Sequence, residues 1–168
     1  MTSLQNSQTK PVIEQIANDT TSWIGQRTDN KEVLCGQTFV SPAEGELDSI
    51  EVFSSIVTKP GKAIMTVHHF DLHHKTWGPP VGSASVDLNN SLTGKWLRFQ
   101  IPGMRLQKGQ SYGFKLESSN TYFGIGETAT SHQSPPFHHG QEWQFVKNEQ
   151  QGNAYSYFSL AFKVGVRA

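Results

Sequence analysis

Ile50-Glu51-Val52-Phe53-Ser54-Ser55-Ile56 alternates with a period of two. Ile50, Val52, Ser54 and Ile56 share one side, and Glu51, Phe53 and Ser55 the other. A helix would spread these residues around its axis, whereas a strand sorts them onto two faces. The pattern recurs outward along the chain. Ala84, Val86 and Leu88 alternate with polar neighbours, as do Leu97, Phe99 and Ile101, then Tyr112, Phe114 and Leu116, then Phe158, Leu160, Phe162 and Val164. Pro60-Gly61, Gly78-Pro79-Pro80, Asn89-Asn90, Pro102-Gly103, Pro135-Pro136 and Gly152-Asn153 punctuate the runs. Strands are therefore predicted over 22–26, 34–40, 47–57, 62–70, 82–88, 95–101, 110–118, 121–126, 141–147 and 155–166.

One dry face and one wet face per strand is the signature of antiparallel sheets. Ten such strands in a short chain bury their dry faces best by packing together. The expected fold is all-β, a two-sheet antiparallel β-sandwich with jelly-roll topology, over residues 22–168. Residues 1–21 are expected to form a polar N-terminal arm. Within it Val12, Ile13 and Ile16 would make a short helical turn or an edge strand.

The composition agrees. Ser, Thr, Asn and Gln supply 51 of 168 residues, while charged residues are only 17%. The 14 basic residues balance the 14 acidic ones, which excludes the basic excess of a nucleic-acid binder. No run of 18 apolar residues offers a membrane span. Met1 to Asn6 have neither a basic nor an apolar segment, so no signal peptide is expected. Cys35 is the single cysteine, which excludes an intrachain disulfide. Its strand setting predicts a small buried hydrophobe.

The order of several short motifs resembles a family of bacterial jelly-roll modules. Gly36-Gln37-Thr38-Phe39 leads through Pro42-Ala43-Glu44-Gly45 into Leu47-Asp48-Ser49-Ile50. Met65-Thr66-Val67, Trp96-Leu97-Arg98-Phe99, Leu106-Gln107-Lys108-Gly109, Tyr122-Phe123-Gly124 and Leu160-Ala161-Phe162 follow. The resemblance covers about 24–164. It implies a module similar to the carbohydrate-binding or surface-anchored domains of exported proteins, placed outside the cell or on its surface. Where such modules carry acidic and small residues, this chain has the His- and Trp-rich segment 68–80.

That segment holds the first candidate residues. His68-His69 and His73-His74 precede Trp77, and His138-His139 follow Phe137. Neighbouring side chains in a strand point to opposite faces, so adjacent histidines do not readily share one ion, and neither a metal nor another cofactor is expected. No Gly-x-Ser-x-Gly elbow is present, and the one acid pair worth inspecting, Glu117 and Glu127, is expected to solvate strand faces. No catalytic residue is therefore assigned and no enzyme is expected. Two proline-stiffened loops, 71–81 and 132–141, each pair an aromatic with His-His. Rigid loops lose little entropy on binding. Trp77, Phe137, His138, His139, His73 and His74 are therefore the candidate ligand-binding residues.

Two functions compete. One is a non-catalytic glycan-binding or adhesive module whose partner is a carbohydrate or a protein. The other is a structural subunit of a larger bacterial or phage-like assembly, with contacts through the arm or a sheet edge. An oligomer is compatible with either.

Overall fold

A computed structural model describes residues 9–27, 29–149 and 151–167. They form β1 (Thr9–Gln15), β2 (Thr20–Gln26), β3 (Glu32–Val40), β4 (Gly45–Val57), β5 (Gly61–Asp71), β6 (Thr76–Leu88) and β7 (Lys95–Gln100). These are followed by β8 (Arg105–Leu106), β9 (Ser111–Glu117), β10 (Tyr122–Ala129), β11 (Glu142–Val146), β12 (Asn153–Tyr155), β13 (Phe158–Leu160) and β14 (Phe162–Arg167). A single 3-10 turn spans Asn90–Leu92. The fold is all-β, and every strand pair is antiparallel. Hydrogen bonds link the strands in one continuous path, β1-β14-β4-β10-β2-β3-β9-β5-β6, rather than in two unconnected sheets. The sheet curls and stays open, with β1 and β6 at the ends of that path.

The concave side closes on one core. Ile50, Val52, Leu97, Phe99, Phe114, Leu160 and Phe162, all expected inside, are buried there. Burying each such side chain contributes roughly 1.5–3 kcal/mol. Asp48 accepts hydrogen bonds from Arg98 and Arg167 and ties β4 to β7 and β14.

Ile56 departs from the expected face. Gly124 pairs with Ile56 but Ile125 pairs with Ser54, so Ser55 is the extra residue of a bulge. A bulge reverses the alternation beyond it. Ile56 is therefore exposed and Val57 buried.

Residues 1–8 of the expected arm lie outside the described residues. From Thr9 to Gln15 the chain is a strand on β14, with Ile13 in the core. Pro11 is tolerated because β1 is an edge. The buried Gln15 amide donates to the carbonyls of Ala17 and Leu160, both at 3.1 Å, which anchors the end of the strand.

Candidate functional site

Trp77 was expected in a loop because prolines follow it. It lies instead in β6, paired with Phe70. β6 is an edge strand, where Pro79 and Pro80 need no partner for a missing N–H, and register shifts between Val67 and Phe70 absorb the irregularity. The Trp77 ring is half-buried on the outer side of the sheet. It lies over Gly113 of β9 and Gly36 of β3, where a Cβ would come within 2.5 Å and 3.2 Å of the ring. Two glycines thus clear a seat for one indole.

Other rings gather around it. Trp77 meets Phe70 at 5.5 Å, Trp143 at 5.8 Å and Phe145 at 5.6 Å, all edge-on. Trp143 and Phe145 are stacked at 6.0 Å. His68 closes the cluster at 5.4 Å from Trp77. It is buried, and burial holds it below the usual histidine range. Its Nδ1 donates to the Gly78 carbonyl at 2.8 Å, so Nε2 accepts from Thr66 Oγ1, also at 2.8 Å, and the ring is neutral. His69 is exposed, on the opposite side from His68 as strand geometry demands.

Lys115 enters the same cluster from β9. Its Nζ stands 4.4 Å from the Phe145 ring centre and 5.0 Å from that of Trp77. The face of an aromatic ring is negative and attracts such a cation. Burial nevertheless holds the Lys115 ammonium below its ordinary range.

Two hollows open beside this cluster. One, of about 700 Å³, is lined by Trp77, Lys115, Trp143, Phe145, His74 and Lys75 among others. The second, of about 440 Å³, is lined by Phe70, Leu72, Lys75, Phe137, His138 and His139 among others. Trp77 and Phe137 therefore sit in neighbouring hollows rather than in one, with Lys75 on the wall of both. Phe137 is half-buried and packs edge-on against Phe162 at 5.2 Å, so it is anchored to the core. His138 and His139 are exposed at the rim. His73 and His74 are exposed in the turn between β5 and β6, and His74 Nδ1 pairs with Asp71 at 2.8 Å. Among the described residues, no three His, Cys, Asp or Glu side chains converge as a metal site would require.

The sequence reading missed Lys115, Phe70 and Phe145 as members of this surface. It also paired Glu127 with the wrong acid. Glu117 lies on β9 beyond Lys115, whereas Glu127 meets Glu142 of β11. Both of the latter are buried, Glu142 entirely. As carboxylates, Glu142 would leave both oxygens unpaired, and Glu127 one. Burial, and then the hydrogen bond to Glu127 and its charge, push Glu142 up to about 10. Glu142 is thus a protonated donor to Glu127, which also accepts from Thr20 Oγ1 at 3.1 Å. Neither acid is placed to touch a ligand. Cys35 is buried as expected, and burial pushes its thiol up further.

No family model matches the chain, and no curated protein matches it. Solved structures resemble its fold, among them the following two. One is the clostridial cysteine protease Cwp84 after propeptide cleavage, at 11% identity and a TM-score of 0.56, over 95% of this chain and 40% of that one. The other holds the cysteine protease and lectin-like domains of Cwp84, a surface-layer-associated protein of Clostridium difficile. It matches at 9% identity and a TM-score of 0.53, over 90% of this chain and 36% of that one. The chain spans less than half the length of each, and at these identities the likeness is one of fold.

Proposed function

We propose that the chain is a non-catalytic glycan-binding or adhesive module that works outside the cell or on its surface. The observation that carries this reading is the aromatic surface around Trp77, flanked by two open hollows. Sugars present apolar ring faces and hydroxyls together, and they are held by aromatic side chains with polar groups at the rim. A similar fold in a structure that includes a lectin-like domain supports the reading. Jelly-roll connectivity is part of this reading, and the long-range pairs β3–β9, β4–β10 and β4–β14 are compatible with it. His73, His74, His138 and His139 would supply rim hydrogen bonds, and Trp77 and Phe137 the apolar floors.

One observation favours the assembly subunit as a second reading. The strand path ends at β1 and β6, and an open edge takes up a strand from a neighbour. A glycan array probed with the whole chain, together with its mass by light scattering, separates the two. Binding to a defined set of glycans, weakened in a Trp77→Ala variant that keeps its far-ultraviolet circular dichroism, is the expected result. A glycan-silent protein that forms a defined multimer would overturn it in favour of assembly.

A further inference from the structure

The geometry points to the hollow over β3, β9 and β11 as a site for an acidic saccharide, with the ammonium of Lys115 receiving the sugar carboxylate. This rests on the glycan-binding reading and names the ligand class.

Three observations meet there. First, Lys115 is a half-buried cation with no acid within 4 Å among the described residues, whereas polar neighbours on the same wall are paired. Lys147 pairs with Glu32 at 3.3 Å, and His74 with Asp71. Glu117, two residues along β9, acts on it only at longer range, and a lysine that has lost water without an acid in contact attracts an anion. Second, its surroundings are electropositive although the whole chain is neutral. With Lys147 paired to Glu32, Lys75 and Lys115 line the hollow against a single lining acid, Glu149. One unpaired ammonium at the floor suits a singly charged carboxylate. Third, the floor is not saturated. The indole N–H of Trp143, a residue only 7% exposed, has no acceptor, and neither has that of Trp77. Each nitrogen is closed off from solvent, so an entering oxygen reaches it only where the rings turn. Aromatic walls for the sugar ring and a cation for its acid thus occur in one cavity of about 700 Å³.

The test uses matched pairs of probes that differ by the acid. Tri-galacturonate is compared with galactotriose, and 3′-sialyllactose with lactose, by calorimetry and by tryptophan fluorescence on the whole chain. An acidic member should bind about tenfold tighter than its neutral partner, the difference expected of one charge-assisted hydrogen bond. Added salt should reduce that preference. Lys115→Gln should erase the preference, while Lys115→Arg should retain most of it. Equal binding of acidic and neutral sugars, or a preference that survives Lys115→Gln, overturns the inference and leaves the glycan-binding reading standing. If the array and all four saccharides are silent, both fall together.

Discussion

The two sides of β11 invert the usual rule. Glu142 points to the closed side, beside Gln37 and Cys35, while Trp143 and Phe145 point to the outer side. A strand built only for stability would put the rings in and the acid out. Inside, Gln37 and Glu142 find buried partners. Gln37 accepts from the Leu160 N–H at 3.0 Å, and protonated Glu142 donates to Glu127. Outside, the rings rest on glycines and leave a hollow, an unpaired lysine and two unpaired indole donors. The difference separates what holds the sheet together from what it presents. That outer surface is the one the binding proposal uses.

The largest effect should come from breaking the closed side with pH. Glu142 is an acid held above its ordinary value, so the folded state keeps a proton that the unfolded state releases above about pH 4.5. Its contribution to stability is complete on the acid side of that value. It is lost as pH rises toward about 10, with a slope near 1.4 kcal/mol per pH unit. His68 has the opposite sign, destabilising only as pH falls below the usual histidine range, and Lys115, held below the usual lysine range, offsets part of the Glu142 loss at the alkaline end. Cys35 adds its own alkaline loss only above its ordinary value of 9.0. Between about pH 7 and 9, then, urea melts should show falling stability, and Glu142→Gln should flatten the slope because its amide donates to Glu127 at every pH. A wild-type curve that is flat in this window would show that the two acids do not share a proton.

Phe114 and Lys115 sharpen the same contrast on adjacent residues of β9. Phe114 faces the core without exposure and meets Phe162 at 5.7 Å. Phe114→Ala should cost about 3–5 kcal/mol in denaturant unfolding. Lys115→Gln should change stability by no more than about 0.5 kcal/mol. Comparable losses from the two would mean that the outer cluster is part of the stabilising core.

How much of this was legible in the sequence depends on which side of the sheet is considered. Period-two runs marked the inner side well, because Phe99, Phe114 and Phe162 alternate with polar residues and are buried as that pattern demands. β1 was obscured by Pro11, which only an edge position tolerates, and the bulge at Ser55 reversed Ile56 with no local sign. For the candidate surface, the Trp77 segment and the Phe137 segment were visible as unusual composition. That Trp77 belongs to a strand was not, because its seat is made by Gly36 and Gly113, far away in the chain. Lys115 was hidden for the same reason, since an alternating lysine in a strand reads as an ordinary solvated residue until the rings beside it are known. The Glu127–Glu142 pair was invisible because β10 and β11 are brought together only through β2, β3 and β13.

The smallest lesion should be the most informative. Gly113 carries no positive φ, so alanine is acceptable to its backbone, and only space forbids it. An added Cβ would come within 2.5 Å of the Trp77 ring, whose other sides are held by Phe70, Trp143 and Phe145. The ring has to shift as a whole. Gly113→Ala should therefore cost about 1–3 kcal/mol, the usual penalty for overpacking, while the core side of β9 is untouched. Near-ultraviolet circular dichroism should change with it, since Trp77 and Trp143 are coupled edge-on, and saccharide binding should weaken more than stability does. If the protein loses stability but keeps its binding and its aromatic spectrum, Trp77 is merely packing, and the surface that matters lies in the neighbouring hollow under Phe137 and His139.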